Sequence, residues 1–274
     1  MSVLRRFTRC FRSAGAGERA TRAVGRAVRG CRCAARTGAR ATAIVTICWS
    51  AGLAACAPSV RPPASAPPGF VSLFDGRTLN GWHVSRTSHQ GTTPDVRVED
   101  GAIVLRQNPY GQGGVLLTDR EYGDFELYLE VLPDRGTNGG IFFRSTESGS
   151  AYQIEVEGAG LGGTGNLLGE MLRVTTDARA ERLREVWKEG SWNSFRLRVQ
   201  GEVPRITLWV NETLMWDVVA ERNDHVVGAR EGHIGLQVHW SSTYSPVPGG
   251  SCCERSWRPG AAHRYRNVWI RELP

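Results

Sequence analysis

Asp124-Phe125-Glu126-Leu127-Tyr128-Leu129-Glu130-Val131 alternates polar and apolar residues without a break. Successive side chains of a strand point to opposite faces, so this segment reads as a strand with one face buried. The pattern recurs along the chain, with Gly, Asp and Asn between the repeats. Val96 to Leu105 predicts a hairpin about Asp100-Gly101, and Arg205 to Val210 followed by Thr213 to Val218 predicts another about Asn211-Glu212. Gly114 to Thr118, Gly139 to Arg144, Tyr152 to Glu157, Ser194 to Val199, Gly232 to Trp240 and Tyr265 to Glu272 predict further strands. Only Asp177 to Lys188 has helical spacing, with Leu183, Val186 and Trp187 on one side. Many short strands with almost no helix predict an all-β chain folded as a two-sheet antiparallel sandwich.

The charge is not spread evenly. The whole chain carries a formal +7, yet residues 1–56 hold 11 Arg against one acid, Glu18. The remainder holds 23 Lys and Arg against 26 Asp and Glu, a net of −3. A mildly acidic body lacks the basic face that phosphate binding needs, so nucleic acid is not an expected partner. Ala41 to Leu53 is an uncharged apolar run of 13 residues, too short to span a bilayer as a stable helix and of the length of a signal-peptide core. It ends in Leu53-Ala54-Ala55-Cys56, which resembles a bacterial lipobox. The resemblance implies a lipidated Cys56 and a membrane partner through that anchor. The destination it implies is the cell envelope, on the periplasmic side of the outer membrane. A short buried helix with an incidental Cys is the alternative. Residues 57–68 contain five Pro and read as a semi-rigid spacer, which leaves 69–274 as the folded domain. Of the seven Cys, Cys252 and Cys253 fall in that domain, either as a strained vicinal disulfide or as free thiols.

Residues i and i+2 of a strand share a face. In Gln153-Ile154-Glu155-Val156-Glu157 the three polar groups therefore face away from Ile154 and Val156. Gln237 and His239 face away from Leu236 and Val238 in the same manner, and Arg144 shares its side with Phe142. Carboxylates, amides, an imidazole and a guanidinium beside an aromatic ring suit a sugar-binding surface. The plainer alternatives are a solvated Glu-x-Glu face, a structural His239 and an Arg144 paired with a surface acid.

Several segments carry a family resemblance. They are Phe70-Val71-Ser72-Leu73-Phe74-Asp75-Gly76-Arg77-Thr78-Leu79-Asn80-Gly81-Trp82, Tyr122-Gly123-Asp124-Phe125-Glu126-Leu127, Asn138 to Arg144, Tyr152 to Val156, Trp192 to Arg196, Leu208-Trp209-Val210-Asn211, Gly232 to His239, and Arg266 to Arg271. In order and spacing this set resembles the 3-keto-disaccharide hydrolase domain family over nearly all of 69–274. The resemblance implies a concanavalin A-like jelly roll whose polar sheet face is the site. It also implies cleavage of glycosides already oxidised to a ketone at C3. The ketone acidifies the C2 proton, a base removes it, the C1 substituent leaves, and water adds back. Such a site needs a base, a donor or cation at the enolate oxygen and an acid for the leaving group. Glu155 or His239 is the expected base. Arg144, or a bound divalent cation, is expected at the enolate, and the other of Glu155 and His239, or Glu157, is the expected acid. Gln153, Glu157, Gln237, Phe142 and Glu170 are expected to contact an oligosaccharide or 3-keto-glycoside. No ligand spacing demands a metal. Residues 241–264 depart from the family as an insertion expected at the mouth of the site. Two alternatives share the sandwich, a laminarinase-type glycoside hydrolase using paired carboxylates and a non-catalytic carbohydrate-binding module.

Overall fold

The computed structural model describes residues 65–109, 111–158, 162–225, 228–240, 257–258 and 260–274. The leader, Cys56 and most of the Pro-rich spacer lie outside the described residues, as do Cys252 and Cys253. Strands β1 (Val71–Ser72), β2 (Trp82–Val84), β3 (Asp95–Glu99), β4 (Ala102–Arg106), β5 (Gly114–Tyr122), β6 (Phe125–Pro133) and β7 (Asn138–Ser145) come first. Then follow β8 (Ala151–Glu157), β9 (Leu167–Glu170), the helix α1 (Leu183–Val186), β10 (Asn193–Gln200), β11 (Arg205–Val210), β12 (Thr213–Val219), β13 (Gly232–Val238) and β14 (His263–Glu272).

The strands form two antiparallel sheets, as the alternation predicts. The larger runs β12-β11-β10-β6-β14-β4-β3, with β1 also paired to β14. The smaller runs β2-β5-β13-β7-β8-β9. Between them lies one core, with Leu127, Leu129, Phe195, Leu197 and Leu208 from the large sheet against Leu116, Ile141, Phe143, Ile154, Leu236 and Val238 from the small one. Alternation explains the split: in β10 the burial pattern changes at every residue.

The two turns read from dipeptides form as expected. Asp100 and Gly101 join β3 to β4, and Asn211 and Glu212 join β11 to β12, all four at positive φ. The helical expectation over 177–188 shrinks to the four residues of α1. Upstream of it Leu167 N–H donates to Ala178 O, so this stretch lies along the edge of the small sheet instead of coiling.

Candidate functional site

Residues paired across antiparallel strands share a face, so the ladder of the small sheet maps its outer surface. One row reads Leu117, Gly235, Phe142, Gln153 and Leu168 from β5 to β9. Beside it, Gln237 stands opposite Val115, Glu155 opposite Gly140, and Glu170 opposite Ala151. Val115, Leu117, Phe142 and Ala151 form an apolar patch separate from the main core. On this patch the amides meet: Gln153 Nε2 donates to Gln237 Oε1 at 3.0 Å. Gln153 can lie flat enough to reach only because residue 140 is Gly, since a Cβ there would overlap the Gln153 amide nitrogen. Gln153 is 2% exposed and Gln237 is 0% exposed, yet Gln153 Oε1 and Gln237 Nε2 have no hydrogen-bond partner. Two buried, unmatched polar atoms on one surface are costly unless a ligand or water completes them.

His239 extends β13 by one step, its N–H donating to Asn138 O at 3.2 Å while Gln107 Nε2 donates to its carbonyl at 2.6 Å. Its ring stacks on Trp240, and its Nδ1 is a third buried atom without a partner. Glu155 and Glu157 sit under the loop that follows β8. A Cβ on Gly163 would overlap the Glu155 carboxylate, and Gly163 N–H donates to Glu157 Oε2 at 3.1 Å. The buried Glu157 carboxylate therefore holds the loop.

Two site residues come from a segment that carries no strand pattern. The loop after β2 crosses this face. His89 Nε2 donates to Glu170 Oε2 at 2.7 Å, Gln90 Nε2 donates to the same oxygen at 2.8 Å, and Trp240 N–H donates to Gln90 Oε1 at 3.4 Å. Glu147 fastens the start of that loop. Its Oε1 accepts from Arg86 N–H at 2.9 Å, its Oε2 from His83 Nε2 at 2.9 Å, and its carbonyl from Ser85 Oγ at 2.6 Å.

Arg144 is not part of this group, contrary to the alternation argument. It has φ of 48°, and β13 shifts register against β7 between His233 and Gly235, so the i, i+2 relation with Phe142 breaks. Its fully buried guanidinium instead donates to Gly123 O at 3.2 Å, Asp124 Oδ1 at 3.0 Å and Gly201 O at 2.8 Å. Gly123 and Asp124 form the turn between β5 and β6, which passes from one sheet to the other, so Arg144 ties the end of the sandwich together.

Residues 69–271 match the family described as the 3-keto-α-glucoside-1,2-lyase-like domain. The chain belongs to this family. A 3-keto-disaccharide hydrolase of Bacteroides thetaiotaomicron is 33% identical over 85 residues, a stretch covering 29% of this chain and 28% of that protein. A solved structure of a glycosyl hydrolase candidate from Parabacteroides distasonis aligns with a TM-score of 0.51 at 16% identity, over 75% of this chain and 94% of that one. A non-specific endo-β-1,3(4)-glucanase of family GH16 aligns with a TM-score of 0.47 at 13% identity, over 76% of this chain and 93% of that one. The fold is a two-sheet antiparallel jelly-roll sandwich, and the family is carbohydrate-active.

Within this 3-keto-α-glucoside-1,2-lyase-like domain the charges are set by burial. Desolvation pushes the pKa of His239 down, with the nearby Glu170 carboxylate only partly opposing it and His89 adding to it. At neutral pH His239 is thus a neutral imidazole with an unengaged Nδ1, fit to accept a proton. His83 is the opposite case. Burial acts to lower its pKa, but hydrogen bonds to Glu147 and Asp119 outweigh this and raise it. Among the described residues no group of three His, Cys, Asp or Glu stands where it could hold a metal ion.

Proposed function

We propose that this domain cleaves 3-keto-glycosides, including 3-keto-disaccharides, by elimination and hydration on the outer face of the small sheet. The observation that supports it most is the convergence there of His239, the Gln153–Gln237 amide pair and Glu170, with three buried polar atoms left for a ligand to complete. His239 Nδ1 takes the C2 proton. The C–H electron pair forms the enolate, which collapses to expel the C1 oxygen. In this reading Glu170, hydrogen-bonded to His89, relays a proton to that oxygen, and Glu155, two residues along β8 from Gln153, orients the incoming water. Water then adds across C1 and C2 to give the free 3-keto sugar.

The test is product analysis with α- and β-linked 3-keto-disaccharides, with and without chelator, against the unoxidised parents. Release from the 3-keto substrates alone is expected, and it is lost in His239→Ala and Glu155→Gln at unchanged Tm. Equal release from unoxidised sugars would favour the laminarinase-type reading, and binding without turnover the carbohydrate-binding module.

The leader and spacer support export with a lipid anchor at Cys56, on the periplasmic side of the outer membrane. Among the described residues no helix is long and apolar enough to cross a membrane. Metabolic labelling with a palmitate analogue should mark the wild-type chain and leave Cys56→Ser unmarked. Equal labelling of both would overturn the anchor.

A further inference from the structure

The elimination needs a hydrogen-bond donor at the enolate oxygen, and Arg144 stands away from this face at the end of the sandwich, its Nε and Nη2 bonded to Gly123, Asp124 and Gly201 and its Nη1 without a partner. The outer face of the small sheet holds another donor. Gln237 Nε2 is buried and has no partner, although the other end of the same amide is fixed by the bond from Gln153. An amide held at its oxygen with an unengaged N–H₂ is a preorganised donor, which stabilises developing negative charge without reorganising during reaction.

Its position suits the task. Gln237 and His239 are two residues apart along one extended segment, so they project from the same face about 7 Å apart at the backbone. A base at C2 and a donor at the oxygen on C3 must reach two adjacent atoms of one sugar ring, and these two groups project from one face of the sheet two residues apart. The apolar patch of Phe142, Val115 and Leu117 lies beneath, so the enolate oxygen would meet a donor in surroundings of low dielectric.

We propose that Gln237 is a catalytic residue of this site, its Nε2–H bonding the C3 oxygen as it becomes an enolate, and that Gln153 is its positioning residue. This rests on the 3-keto-glycoside reading above. The C2 proton passes to His239 Nδ1. The C2–H electron pair becomes the C2–C3 double bond, and the carbonyl pair moves onto the oxygen that Gln237 stabilises.

A 3-keto sugar without a C1 leaving group, such as 3-keto-1,5-anhydroglucitol, isolates this half-reaction. In D₂O the wild-type protein should exchange the C2 hydrogen, followed by NMR. Gln237→Met, of similar volume and without the donor, should lower kcat for exchange roughly 100-fold. Gln237→Glu keeps an oxygen for Gln153 and should be slowed at least as much. Gln153→Met should lower kcat about tenfold while KM for the probe stays within threefold, a split that a merely structural residue would not give. Tm of each variant reports folding, and Gln237→Glu carries the test if Gln237→Met does not fold. Exchange within threefold of wild type in a folded Gln237 variant would overturn the assignment. Absence of exchange in the wild-type protein would instead overturn the reaction itself.

Discussion

Replacing Arg144 separates architecture from chemistry. Its side chain is 0% exposed and makes three charge-assisted bonds, to Gly123 O, Asp124 Oδ1 and Gly201 O. Asp124 also accepts Gly201 N–H through both oxygens, at 3.0 and 2.9 Å, so one cluster joins the β5–β6 turn to the end of β10. Arg144→Met keeps most of the stem and removes the fork. Breaking a buried pair by deleting one partner costs about 3–5 kcal/mol. Asp124 is 32% exposed and can turn to water, which favours the lower figure, about 3 kcal/mol. For a domain of this size each kcal/mol lowers Tm by about 2–4 °C, so a fall of roughly 6–12 °C is expected by circular dichroism. Arg144→Lys should recover little, because one ammonium cannot serve three acceptors held in a fork geometry. Activity measured well below Tm should stay within threefold of wild type, since none of the three acceptors is a site residue. A Tm within 2 °C of wild type together with lost turnover would refute this reasoning and return Arg144 to the chemistry.

Gly140→Ala should lower turnover about tenfold, as loss of the Gln153 amide does, because the new Cβ displaces Gln153 from Gln237, while Tm falls by only a few degrees; full activity would show that the amide pair is dispensable. His263 is buried with its pKa pushed down to about 3, so the unfolded chain takes up a proton that the folded one refuses. Its contribution is whole above pH 6.5 and is lost as pH falls from there towards 3, by up to about 1.4 kcal/mol per unit. A Tm–pH profile of His263→Phe should be flatter between pH 6.5 and 4 than that of wild type. Glu147→Gln weakens the hold on residues 83–86, so amide exchange should quicken over 85–91 and KM should rise. Unchanged exchange there would show that the loop is held by Glu170 alone.

The strands long enough to show a period were legible. β6, β8, β10 and β13 follow from alternation, and the turns at Asp100-Gly101 and Asn211-Glu212 from their dipeptides. β1, β2 and β9 have two, three and four residues, too few for a period of two to appear. β5 runs beyond its apolar part through the exposed Asp119, Arg120 and Glu121, where apolar content no longer marks it. Half of the site follows the same rule. Gln153, Glu155 and Gln237 lie on the face that alternation gave them, whereas the positive φ of Arg144 broke the rule where the sequence showed an ordinary strand residue. His89 and Gln90 had no signal, because the path of a loop over a sheet is decided by its anchors, here Glu147 and Glu170.

The place of β14 bears on how the molecule can be assembled. It lies between β6 and β4 in the large sheet, although it follows both by more than a hundred residues. Until residues 263–272 arrive, β3 and β4 form one fragment of the large sheet and β6, β10, β11 and β12 another, with no strand pairing between them among the described residues. Contacts this distant in sequence slow the closing step and leave sheet edges open meanwhile. A chain cut before His263 should therefore leave the large sheet in two fragments with open edges, prone to aggregate.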